Sequence, residues 1–241
     1  MGTNHMGRQS IRFPQPPVVR GFASVAGKKE REGPLGDQFT ATVQDTTFGE
    51  KSWERAERRM QQMTLELALE KAGLTDADLD AAFAGDLLNQ CIGSSFSLRN
   101  RGVPTLGLYG ACSTMAESLL LAAMSVSGGY ARTALAMTSS HFASSERQYR
   151  FPLGYGGQRT PTSQWTVTGA GAVLLGGGEC GIRITAATIG SIVDRGICDA
   201  NNMGAAMAPA AFATLRAHFD DLHCAPSRRP SGLRKTRVSY N

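Results

Sequence analysis

Residues 107–126 read GLYGACSTMAESLLLAAMSV, a short apolar strand that turns through glycine and one cysteine into a helix with few polar side chains. That helix, predicted over 113–127, carries Met115, Leu119, Leu120, Leu121, Ala122, Ala123, Met124 and Val126 around its whole circumference. A helix apolar on every side is predicted to be buried on every side. Cys112 stands at the corner where the strand becomes the helix. There the positive end of the helix dipole and the first-turn N–H groups favour an anion, which is how a fold prepares a nucleophile. Cys91, Cys180, Cys198 and Cys224 have no such setting and read as ordinary free thiols.

Working outward, residues 103–110 form the strand that feeds the corner, and RTALAMTSS (132–140) returns as a strand after the helix. TGAGAVLLG (168–176) and GIRITAATIGS (181–191) read as two more, the latter from β-branched residues in alternation. Upstream, Trp53, Ala56, Met60, Met63 and Leu67 recur at helical spacing, with Ser52 as N-cap and Gly73 as the stop. Thr75 and Asp78 form a capping box, 79–86 a helical turn followed by a short buried strand, and 89–102 a helix closed by Gly102. Strand, helix, strand in this order predicts an α/β fold of parallel βαβ units with helices on both sheet faces. The stretch 7–45, punctuated by proline and glycine, reads as an extended arm, and residues 1–12 as an N-terminal tail or added leader with Met6 as an alternative start.

Composition narrows the function classes. The chain has 241 residues, 41% of them hydrophobic, 7% aromatic and 28 glycine, which suits one large layered domain better than a nucleic-acid reader built on stacking rings. The net charge of +5 equals the five basic residues after Asp221, namely Arg228, Arg229, Arg234, Lys235 and Arg237. The body is neutral, and no nucleic-acid partner is expected. Five widely spaced cysteines without a CxxC pair argue against a disulfide framework and a zinc site, and no metal ligand set is read. No run is long enough to span a membrane, and no secretory signal opens the chain.

Two of these stretches, GACSTMAESLLLAA (110–123) and WTVTGAGAVLL (165–175), resemble the nucleophile corner and glycine-bearing strand pair of the thiolase-like superfamily. Within it, EGPLGDQF (32–39), GEKSWERAERRM (49–60), AGDLLNQ (84–90), TSSHFASSERQYRFP (138–152) and MGAAMAPAA (203–211) are similar to stage V sporulation proteins of spore-forming Firmicutes, over about residues 13–219. The resemblance implies a thiolase-like layered fold of two βαβ halves around a buried central helix. Residues 13–181 are then a complete first half, 182–221 the start of the second, and 222–241 a basic tail outside the family, marking a truncation or frameshift near 222.

The resemblance also implies a dipicolinic-acid-binding protein that serves movement of dipicolinate in sporulation and germination, and not an enzyme. No cofactor is expected, the ligand being dipicolinate, free or as its calcium chelate. The implied partners are stage V sporulation A membrane proteins and a second copy in a homodimer. The implied place is peripheral, at the spore inner membrane after cytoplasmic synthesis. Dipicolinate is a flat pyridine with two carboxylates, so its site needs cations or N–H donors at two edges and a ring or apolar wall on its face. Cys112, His141, Arg147, Arg150, Tyr155 and Trp165 supply those types and are the candidate ligand-binding residues. One rival reading is a condensing enzyme of the ketoacyl-synthase type with Cys112 acylated. A second is an assembly subunit that holds no ligand.

Overall fold

A computed structural model describes residues 4–149, 165–199 and 202–225. In chain order the strands are β1 (His5–Met6), β2 (Ser10–Arg12), β3 (Val18–Ala26), β4 (Ala41–Thr42), β5 (Ala81–Gly85), β6 (Thr105–Leu108), β7 (Thr133–Ser140), β8 (Gly169–Gly176) and β9 (Ala186–Thr188). The helices are α1 (Lys28–Arg31), α2 (Trp53–Ala72), α3 (Ile92–Leu98), α4 (Thr114–Ser127), α5 (Phe142–Tyr149) and α6 (Met203–Leu222). The chain divides into two units, residues 15–184 and residues 1–14 with 185–241.

The larger unit is built on a six-stranded sheet in the order β4-β3-β8-β7-β5-β6. β6, β5 and β7 run parallel, as the βαβ reading predicts. β8 departs from that reading. It lies antiparallel between β7 and β3, so the sheet is mixed. The predicted arm is corrected as well: Val18–Ala26 is a nine-residue strand of the sheet, paired with β8 from end to end. Flanking prolines mark where it begins and hide that VVRGFASVA alternates, and its partner β8 lies far away in sequence.

The local signals on α2 hold. Ser52 caps it by accepting from the Arg55 amide at 3.3 Å, and Gly73 ends it in the left-handed conformation, φ 64°. The Thr75–Asp78 capping box also forms.

Chain direction decides which helix covers which face. The chain steps from β5 outward to β6 through α3, then back across β5 to β7 through α4. Right-handed crossovers in opposite directions place α3 and α4 on opposite faces. Leu65, Ala68 and Leu69 of α2 and Leu98 of α3 form one core with Ala23, Ala82, Ala84, Leu135, Met137, Ala172 and Leu174, alternate residues of four strands. A second cluster joins Ala56 and Met60 of α2 to Val25, Phe48 and Ala170. α4 packs on β5, β7 and β8.

The structure corrects the reading of α4 as buried all round. Its buried residues are Thr114, Ser118, Ala122 and Ala123, a single stripe, while Met124 is 42% exposed and Leu119 to Leu121 are half-buried. Apolar character shows which surface seeks cover, and one sheet covers one side of a helix.

In the other unit, β1, β2 and β9 pair antiparallel in that order and α6 packs on β2 and β9. Residues read as a tail thus include two strands, and of the strand predicted over 181–191 only Ala186–Thr188 forms. The Asp221 carboxylate takes the Arg8 and Gln9 amides at 3.0 and 2.9 Å, and these bonds hold it down at about 2. His218 bonds Thr188 at 2.8 Å and His223 is the left-handed cap of α6, structural places for both histidines. None of the described helices is long and apolar enough to cross a membrane.

Candidate functional site

Three parallel strands bring three loops to one edge of the sheet. The chain leaves β5 at Asp86, β6 at Tyr109 and β7 at His141. Because the connections run to opposite sides of β5, the chain reverses its order there, and open α/β sheets bind ligands beyond the strand ends at such a point.

Cys112 lies where the sequence predicts, in the 3-10 turn Ala111–Ser113 between β6 and α4, and it is exposed. The turn is tight. Ser113 Oγ donates to the Gly110 carbonyl at 2.8 Å, Thr114 Oγ1 to the Ala111 carbonyl at 2.8 Å, and the Gly110 amide to Thr114 Oγ1 at 3.2 Å. Ala111 takes φ 48°, a left-handed conformation that costs a residue with a Cβ of order 1 kcal/mol. Gly85 at the end of β5 completes the corner, since a Cβ there would overlap the Leu108 carbonyl and the Thr114 methyl.

The end of β7 is built differently. His141 is 2% exposed; its Nε2 faces the Thr46 carbonyl at 2.8 Å, its Nδ1 takes the Ala143 amide at 3.2 Å, and its ring stacks on Trp53 with centroids 5.3 Å apart. Burial holds it below the ordinary histidine value. Both nitrogens are engaged within the protein, so this side chain serves the frame of the site.

α5 follows at once and carries Arg147, which pairs with Glu54 at the start of α2 and has 57% of its side chain exposed. Trp165 is 41% exposed, stacks on Phe142 of α5 at 4.7 Å and holds the Lys29 ammonium 3.5 Å above its ring. Arg150 and Tyr155 fall outside the described residues.

Gln148 supplies a link that sequence reading missed. Its Nε2 donates to the Leu87 carbonyl at 3.2 Å and lies 3.3 Å from the Tyr109 hydroxyl, while its Oε1 accepts the Asn89 amide at 3.0 Å. Tyr109 also reaches the Leu87 carbonyl and Asn89 Oδ1, both at 3.4 Å. One amide thus clips α5, which bears Arg147, to the loop after β5 and to the tyrosine three positions before Cys112. The position of Tyr109 inside YGACS was the available signal; for Gln148 there was none.

Beneath the edge lies a second missed group. Glu57 and Gln61 of α2 are fully buried. Ser139 donates to Glu57 Oε1 at 2.8 Å, Ser144 to Oε2 at 2.9 Å, Gln61 Nε2 to Ser139 at 2.6 Å, and Ser97 to Gln61 Oε1 at 2.6 Å. Burial pushes the Glu57 carboxyl up from 4.5 to about 7; the Ser139 and Ser144 bonds oppose the rise and the Asp86 carboxylate adds to it. The i, i+4 spacing on the buried stripe of α2 was the only sequence trace of this pair.

Comparison with known proteins agrees with the fold. The family model for stage V sporulation protein AD matches residues 7–229, so it begins before Phe13 and runs past Phe219, where the sequence resemblance stopped. The stage V sporulation protein AD of Bacillus subtilis (strain 168) is 45% identical over 217 residues, 90% of this chain. The chain spans 64% of that relative's length. Among solved structures, a cerulenin-bound OleA variant of Xanthomonas campestris superposes with TM-score 0.58 at 14% identity, over 89% of this chain and 73% of that one, which gives the thiolase-like fold. A 3-oxoacyl-(acyl-carrier-protein) synthase III of Aquifex aeolicus VF5 aligns over 68% of this chain and 55% of its own, at TM-score 0.46 and 18% identity. By the extent of the family match and the identity to its relative, the chain belongs to the stage V sporulation protein AD family.

Proposed function

We propose that this chain binds dipicolinate at the edge where β5, β6 and β7 end, and performs no acyl transfer there. The observation that carries the reading is the Gln148 clip, which brings the helix of Arg147 to the Cys112 corner. Arg147 suits a carboxylate because its side chain stays 57% exposed in its present pair with Glu54, and exposed pairs contribute only about 0–1 kcal/mol. Tyr109, 49% exposed, offers a ring face beside it. The α4 N-terminus favours an anion at the same corner.

The condensing-enzyme reading needs a base for the Cys112 thiol. Residues 15–184 contain one histidine, His141, and both its nitrogens are engaged. That favours a binding protein. The exposed residues Thr105, Leu106 and Gly107 of β6, an edge strand, suit pairing with a second copy, and we extend the proposal to a homodimer that works at the spore inner membrane with stage V sporulation A proteins. Calcium would enter with the ligand, as its chelate.

Calorimetric titration with dipicolinate tests the reading. Arg147→Ala should weaken binding by about 1.5–3 kcal/mol, as loss of a charge-assisted hydrogen bond does, and Arg229→Ala should leave it unchanged. Equal losses from both would reduce the effect to nonspecific charge, and no heat with the parent chain would remove the proposal.

A further inference from the structure

The shortest hydrogen bonds of the buried network around Glu57 leave one of its oxygens to carry a proton. Ser97 Oγ has two acceptors in reach, Gln61 Oε1 at 2.6 Å and the Ser94 carbonyl at 2.8 Å; the shorter bond to Oε1 turns Gln61 so that its Nε2 donates to Ser139. Ser139 must then give its own hydrogen to Glu57 Oε1. Oε1 is therefore an acceptor in either state, and a proton on Glu57 sits on Oε2, facing Ser144. Ser144 Oγ has two acceptors in reach, Glu57 Oε2 at 2.9 Å and the His141 carbonyl at 3.1 Å.

We propose that Glu57 and Ser144 form a proton-operated latch on α5. With Glu57 neutral, its Oε2–H donates to Ser144, and the Ser144 hydrogen goes to the His141 carbonyl, tying the first turn of α5 to the end of β7. When Glu57 gives its proton to water, the Ser144 hydrogen turns to Oε2. The His141 carbonyl is then left with the Ser145 amide at 3.0 Å, and one tie of the helix start is lost. The ionised carboxylate is also a buried charge that needs solvation, and α5 is the element whose loosening would admit water.

Among the described residues, the groups around the latch leave the charge on Glu57 uncompensated. On α2 itself, Arg58 pairs with Glu50 at 3.2 Å, and Glu54 with Arg147. After β5, Asp86 is buried and takes the Leu88 and Ser94 amides at 2.9 and 2.7 Å and the Ser94 hydroxyl. On α5, Glu146 takes the Thr166 hydroxyl at 3.1 Å, and His141 before it has both nitrogens engaged. α3 presents only Ser94 and Ser97 to the network. Among the described residues, the charge acting on Glu57 is thus a second carboxylate, Asp86, which favours the neutral form.

This latch goes beyond the ligand reading and does not rest on it, because its test needs no ligand. The whole chain would be titrated from pH 5 to 8.5, following the infrared band of a protonated carboxylic acid and the hydrogen exchange of α5, corrected for intrinsic rates. The band should vanish with a midpoint near 7 while α5 exchange rises by about tenfold or more, as loss of a tie worth about 1.4 kcal/mol would give. Glu57→Gln, which mimics the neutral acid, should abolish both changes with the circular dichroism spectrum retained. Ser144→Ala should leave the band titrating at a higher pH and uncouple α5 from it. An unchanged α5 transition in Glu57→Gln, or in Ser144→Ala should the first variant not fold, would overturn the latch, as would a parent chain whose α5 exchange shows no step.

Discussion

Cys112 and His141 stand just past β6 and β7, the two strands that flank β5 at the same sheet edge, and the structure treats them in opposite ways. Cys112 is exposed on a turn whose preceding residue holds a left-handed backbone conformation. His141 is buried, with both ring nitrogens bonded and its face on Trp53. A polar side chain whose bonding capacity is used up inside the protein holds the frame, whereas one exposed at a strained turn is available to something else. The two residues shared one predicted pocket, and saturation separates them.

The contrast breaks most readily at His141. Replacing it by alanine removes a buried ring from Trp53 and leaves the Thr46 carbonyl and Ala143 amide unpaired, each loss costing about 1–3 kcal/mol. The sum should be about 4 kcal/mol by denaturant titration at pH 7, with Trp53 emission altered. A loss below about 1 kcal/mol would mean the ring is dispensable to the frame and free for a ligand.

The pH dependence of stability sharpens the same contrast. Glu57 has its folded value raised to about 7 from 4.5, so its neutral form is favoured in the fold; the contribution is full below 4.5 and is lost as pH rises through 7. A shift of that size corresponds to about 3 kcal/mol. His141 is lowered by burial, so its contribution is full above 6.5 and is lost as pH falls through its lower folded value. The two slopes oppose each other below pH 6.5. In Glu57→Gln the falling limb between 4.5 and 7 should disappear and the His141 slope stand alone, which urea titrations at half-unit pH steps would show. A parent stability that rises steadily across this range would contradict the buried neutral acid.

What the sequence made legible follows from what periodicity records. The capped helix at Trp53–Ala72, the strand at Gly169–Gly176 and the cysteine corner all follow from local pattern and turn chemistry. β3 escaped because its meaning comes from β8, a partner far along the chain. Glu57, Gln61 and Thr64 escaped for another reason: they share the buried side of α2 with Ala56, Met60 and Ala68, and an apolar count passes over polar residues. Their partners Ser139, Ser144 and Ser97 lie on three other elements, so nothing short of the assembled fold joins them. The candidate site divides along the same line. The Cys112 corner is local and legible, while the Gln148 clip and the saturation of His141 depend on tertiary contacts.

The smallest expected effect belongs to Cys112, and it is the sharpest check on its availability. Cys91 makes the internal control: it is buried, its thiol points to the Leu108 carbonyl at 3.2 Å, and burial with the Asp86 carboxylate pushes it up. Under native conditions iodoacetamide should modify Cys112 well before Cys91, whose reaction waits on local opening. Cys112→Ser should change folding stability by no more than about 0.5 kcal/mol, since an exposed turn side chain contributes little packing. Incubation with an acyl-CoA donor should leave the intact mass of the chain unchanged. A stoichiometric acyl adduct lost in Cys112→Ser would show that an available thiol is also an activated one, and the condensing-enzyme reading would replace the binding protein.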